Sequence, residues 1–136
     1  MIRRTPLEWL ILAIAGLTVL TGAIQIVAPI WILQLLGAER TATTGHFFGI
    51  VGMFMVIVGG LACHALAGQT RDPIIFLWAG LQKFGASVAV GLGVAHKLFS
   101  TLALLVAGFD FLSGLLFIAY WVSIRSSVQV PSYGAR

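Results

Sequence analysis

The sequence predicts an all-α integral membrane protein: four spanning helices in an up-down-up-down bundle, with a short interfacial helix after the first span. Three observations predict it. The 136 residues are 60% hydrophobic and only 9% charged, whereas a soluble domain carries about 25% charged residues. A water-soluble fold of this size has no interior large enough for so much apolar surface, so lipid must solvate it. The apolar residues also gather into four stretches, each at least as long as the roughly 20 residues that cross a hydrocarbon core. The connections between the last three stretches are brief, as antiparallel neighbours require. Backbone groups in lipid must find partners within their own segment, so the stretches are helices.

The first span covers residues 7–28. Arg3 and Arg4 precede it as in a signal peptide, but its apolar core is too long, and cleavage after Ala28 would need a small residue where Ile26 stands. It is expected to remain as an anchor. Pro29 interrupts the pattern, and residues 29–36 begin with Pro and run up to Gly37. That segment is too short to cross and suits a helix at the membrane surface, with Trp31 among the headgroups. The second span covers 45–66, the third 73–94 and the fourth 101–124, and together residues 1–124 form one domain. Residues 125–136 are a polar tail without an expected fold.

With four spans, both termini and the 67–72 loop share a side. That side holds Arg3, Arg4, Arg71, Arg125 and Arg136, and the other holds Arg40 and Lys97. The positive-inside rule then puts both termini in the cytoplasm, and a bacterial inner membrane is the expected location. Trp9, Tyr120 and Trp121 fall at the inner interface and Trp31 at the outer one. The net charge of +4 does not point to nucleic acid, because the eight Lys and Arg are scattered, all but Lys83 at segment ends. The one cysteine, Cys63, excludes an internal disulfide.

Two charges stand alone inside apolar segments, and a charge at the bilayer centre is costly unless paired or functional. Lys83 lies ten residues past Pro73, about 15 Å from the inner face, and Asp110 nine past Thr101, about 13.5 Å from the outer face. In a core about 30 Å thick these depths coincide, which predicts an ion pair between the third and fourth spans. Small residues flank both: Ala79, Gly80, Ala86 and Ser87 around Lys83, Ala103, Ala107, Ser113 and Gly114 around Asp110. Leu104, Leu105, Phe111, Leu112, Leu115 and Leu116 take the lipid side. Gln82, Ser87 and Ser113 are the nearby polar groups. The pair admits a structural role, fixing helix register, or a role as a proton or ion relay.

Small residues mark helix contacts in membranes. Gly45, Gly49, Gly52, Gly59 and Gly60 in the second span, with Gly85, Ala89 and Gly93 in the third, are the expected packing residues, serving either the bundle itself or a second subunit. His46 and His96 share the outer side and are the remaining candidates for a metal or haem; helix-end histidines that hydrogen-bond locally are the simpler reading. No Cys-x-x-Cys-His, Gly-x-Ser-x-Gly, His-Glu-x-x-His or phosphate-binding loop occurs.

The first span closes at Ala28-Pro29 before Trp31-Ile32-Leu33, a glycine-rich span opens at Gly45-His46, and the last span carries one acid in Ala107-Gly108-Phe109-Asp110. On these features the layout resembles the DoxX-like group of small four-helix membrane proteins. The resemblance implies a subunit of the kind associated with thiosulfate:quinone oxidoreductase, or a member without known activity. An Arg–Glu pairing early in the second span is absent, so no catalytic residue carries over. The expectation is a non-catalytic membrane subunit that scaffolds a larger, energy-transducing complex, its partners being the bilayer and other integral subunits or further copies of itself. The alternatives are a small proton-coupled transporter working through Lys83 and Asp110, and a quinone- or haem-linked redox subunit. The sequence specifies no cofactor.

Overall fold

The computed structural model describes residues 4–68 and 71–128, of which all the regular structure is helical. Five helices follow in order: α1 Pro6–Val27, α2 Pro29–Leu35, α3 Ala42–Ala67, α4 Pro73–Ala95 and α5 Ala103–Val128. α1, α3, α4 and α5 are long and apolar enough to cross a membrane, and the chain is an integral membrane protein.

Local chemistry sets the helix ends. Thr5 and Glu8 form a capping box at α1: the Thr5 hydroxyl accepts from Glu8 N (3.3 Å) and Glu8 Oε2 accepts from Thr5 N (2.8 Å). Thr41 and Thr44 do the same at α3, which therefore starts three residues before the expected position 45. Asp72 Oδ1 accepts from Ile74 N (3.0 Å) ahead of Pro73 at α4. Pro29 denies Ala28 a helical backbone, and α1 breaks there. α2 ends in a left-handed turn at Gly37 (φ +66°), with Ala38 N donating to Leu33 O and Gly37 N to Gln34 O. α5 runs four residues beyond the expected 124, so the start of the tail is helical; the rest of the expected tail, from residue 129, lies outside the described residues.

Packing divides the bundle into two close pairs. α1 lies along α3 and α4 along α5, while α3 with α4 and α1 with α5 touch only lightly. In α1 the buried seam runs Ile11, Ile14, Ala15, Thr18, Gly22, Gln25, the three-and-four spacing of a left-handed crossing. α3 answers with Gly52 and Gly59, both buried and seven residues apart, while Gly45, one repeat earlier, packs against Ile30 and Pro29 of α2. A Cβ on Gly52 would stand 2.5 Å from Gly22 O, and one on Gly59 would stand 3.0 Å from Ala15 O. The backbones touch because these side chains are missing. In the other pair Gly80 sits under Ile118 and Phe117, and Gly114 under the Phe84 ring.

Only part of the expected packing set packs within this bundle. A Cβ on Gly60 or Gly85 would meet nothing within 4 Å, and Ala89 is exposed; none of the three serves this bundle. Gly49 meets nothing closer than 3.8 Å, and Gly93 makes room for the Phe99 ring. The closest approaches of α3 to α1 are at Gly52 and Gly59, seven residues apart. Gly52→Ala is therefore expected to cost about 1–3 kcal/mol, because α1 and α3 must part. Gly60→Ala should stabilise slightly, by up to about 1 kcal/mol, through helix propensity. Thermal unfolding in detergent measures both, and equal losses would refute the assigned seam.

The densest core lies at the end of the bundle that carries the helix termini of α1 and α5. Phe76, Phe117 and Tyr120 are buried there against Ile11, Ala62 and Leu66, with Phe76 edge-on to Tyr120 at 4.8 Å. At the opposite end, Ser100 N donates to Leu36 O (2.8 Å), tying the α4–α5 connection to the end of α2.

Candidate functional site

Between those two ends the helix pairs separate around a cavity of about 350 Å³. All four spanning helices line it. α4 contributes Lys83, α5 Asp110, and α1 contributes Thr18, Thr21 and Gln25; Leu36, after α2, closes the far end. Leu17 of α1 and Leu105, Val106 and Phe109 of α5 are also in the wall and are largely exposed. Val51 of α3 is exposed in the wall as well, so the cavity reaches the outside of the bundle between the two helix pairs.

The structure brings Lys83 and Asp110 together. Lys83 Nζ donates to Asp110 Oδ1 at 2.7 Å, with 5% and 11% of the two side chains exposed. Buried in this way the two charges can persist only by neutralising each other. Lys83 Nζ also lies 5.5 Å from the centre of the Phe109 ring, within reach of its negative face. Ala79, Gly80, Ala103, Ala107, Ser113 and Gly114 are buried around the pair, and Leu104, Leu105, Phe111, Leu112 and Leu115 are exposed. Gln82 and Ser87 are half-buried outside the cavity wall. Ser113 is buried one turn beyond Asp110.

Three polar residues of α1 complete the wall. The Thr18 hydroxyl donates to Ile14 O (2.9 Å), within its own helix. Gln25 is 8% exposed, and its Oε1 has no hydrogen-bond partner among the described residues. Thr18, Thr21 and Gln25 were not among the expected site residues, although their three- and four-residue steps place them on one face of the first span.

A second polar cluster lies toward the terminal end. Glu8 is 2% exposed. Its Oε1 accepts from the Tyr120 hydroxyl (3.0 Å) and pairs with Arg71 Nη1, while Oε2 accepts from Thr5 N. α1, the α3–α4 connection and α5 are thereby joined at one carboxylate. Tyr120 was expected in an interfacial aromatic belt; it is buried instead, because its hydroxyl finds Glu8 inside the bundle. Arg4 lies over the Trp9 ring and Arg125 over Trp121.

His46 is exposed, beside Phe47, at the rim of an apolar groove between α3 and the α1–α2 junction, and His96 is exposed at the end of α4. Among the described residues no three His, Cys, Asp or Glu gather into a metal-holding group. Chemically the arrangement offers hydrogen bonds and a neutralised charge pair to something small. No family model, curated protein or solved structure matches the chain.

Proposed function

We propose that this chain is a non-catalytic integral membrane protein that holds a small, membrane-dissolved molecule in the cavity beside Lys83 and Asp110. The observation that carries the reading is the cavity itself. It is about 350 Å³, within the range of small-molecule sites, and has the usual make-up of apolar walls with a few convergent polar groups. Its side opening faces the lipid, which suits a ligand that enters from the bilayer. The wall contains no histidine or cysteine, and its one carboxylate is engaged by Lys83. In the same reading both termini face the cytoplasm of a bacterial inner membrane, supported by Arg4, Arg71 and Arg125 at that end against Arg40 and Lys97 at the other.

The test is to purify the protein in mild detergent, extract it with organic solvent and identify bound molecules by mass spectrometry. The expected result is one compound near equimolar amounts in the wild type and its loss in Thr21→Trp, which fills the cavity. An empty wild-type protein, or equal amounts in both, would overturn the reading.

One observation favours a second role. Gly85 and Ala89 lie one turn apart on an exposed face of α4, where nothing in the bundle covers them. A membrane helix of a partner could approach closely there, as the scaffold subunit of a larger complex and the DoxX-like resemblance would both have it. A native mass well above that of one chain, reduced by Ala89→Leu, would support this role, and an unchanged mass would count against it.

A further inference from the structure

We infer that the molecule this cavity takes is uncharged and carries a hydroxyl group on an apolar body, and that Gln25 is its hydrogen-bonding partner. The inference rests on the binding reading above and adds the ligand's chemistry. Gln25 sits on the α1 seam one turn past Gly22, where α3 comes closest. A Cβ on Gly52 would stand 2.7 Å from the Gln25 Cβ, so the root of the side chain is fixed against α3. Gln25 is more than nine-tenths buried and lines the cavity, and its buried Oε1 has no partner among the described residues. Buried polar atoms are nearly always satisfied, so an orphan beside a cavity marks what is missing from it.

The charges restrict what can fill the gap. Among the described residues Lys83 and Asp110 are the only charged ones in the wall, and they already face each other at 2.7 Å. An anion entering the cavity would meet Asp110, and a cation would meet Lys83, each without a free counter-charge. A neutral molecule meets no such cost. Among neutral groups a hydroxyl both donates and accepts, so it serves the carboxamide whichever way that group is turned. The remaining wall, including Val90, Leu105 and Phe109, asks for an apolar body. One water could satisfy Gln25, but a single water occupies only about 30 Å³.

The test uses three probes of one shape, naphthalene, 1-naphthol and 2-naphthoate, with the full-length protein in lipid nanodiscs at pH 7. Binding is measured by equilibrium dialysis and corrected with empty nanodiscs. The expected result is that 1-naphthol binds about 10-fold more tightly than naphthalene, as one hydrogen bond to a buried acceptor supplies. Gln25→Met, which keeps the length of the side chain, should remove that preference and leave naphthalene binding unchanged. Equal binding of 1-naphthol and naphthalene by the wild type, tighter binding of 2-naphthoate, or a preference that survives Gln25→Met would each overturn the inference while leaving the cavity a binding site. Binding of no probe above the empty-nanodisc level would overturn the binding reading and this inference with it. If Gln25→Met fails to fold, Gln25→Leu makes the same comparison.

Discussion

Lys83→Ala is expected to destabilise the protein by about 3–5 kcal/mol, enough to lower its thermal transition in detergent well outside measurement error. The magnitude comes from what is left behind. Asp110 has 11% of its side chain exposed and Lys83 as its ion-pair partner; without the ammonium its carboxylate is a buried charge with nothing to balance it. Asp110→Ala should cost a similar amount for the mirror reason. The double replacement Lys83→Met with Asp110→Leu should recover most of the loss, because two apolar side chains need no partner in this setting. A double variant as unstable as the single ones would show that the pair does more than neutralise itself. A Lys83→Ala protein as stable as the wild type would show that the pair does not hold α4 to α5.

The pair was legible because depth is legible. Counting along an apolar segment gives a residue's height in the bundle, and Lys83 and Asp110 were the only charges at mid-height. Azimuth is harder, since it depends on which neighbour a helix meets. The glycines show the difference. Gly45, Gly49, Gly52 and Gly59 all stood in the expected set, yet α3 sets Gly52 and Gly59 against α1 and turns Gly45 onto Ile30 and Pro29 of α2. Only the matching seam on α1, with Gly22 opposite Gly52, selects that pair, and neither helix reveals it alone. The same limit hid the cavity. Thr18, Thr21 and Gln25 share a face of the first span, but that face gains meaning only where the α1–α3 and α4–α5 pairs part. Glu8 was overlooked for another reason. It falls near the start of the first span, away from mid-height, although Thr5-x-x-Glu8 is a capping-box spacing that points it back toward the chain. Arg71 and Tyr120, read as an orienting charge and a belt residue, supplied the partners that let it be buried.

That carboxylate is the subject of the second large effect. Arg71→Ala is expected to cost about 3–5 kcal/mol, more than Tyr120→Phe at about 1 kcal/mol. The two partners differ in kind. Without the tyrosine hydroxyl, Glu8 still pairs with Arg71 and still caps α1. Without the guanidinium, a carboxylate with 3% of its side chain exposed is left uncompensated. Arg71 itself is 28% exposed and can turn to water, so removing Glu8's charge harms it little. Glu8→Gln should therefore rescue much of the Arg71→Ala loss, since an amide needs hydrogen bonds but no counter-charge. Unfolding measured on the two single variants and the double one closes this cycle, and strictly additive losses would exclude the clamp. The site matters beyond stability because of where it lies. α1 and α5 touch only lightly along their length, and Glu8 with Tyr120 is the hydrogen bond that fastens them at the terminal end. That end is held shut over the Phe76, Phe117 and Tyr120 core, and the cavity lies farther along, between the two helix pairs. Loosening the clamp should therefore widen the route to Gln25 and raise the rate at which a bound probe leaves, even where its affinity changes little.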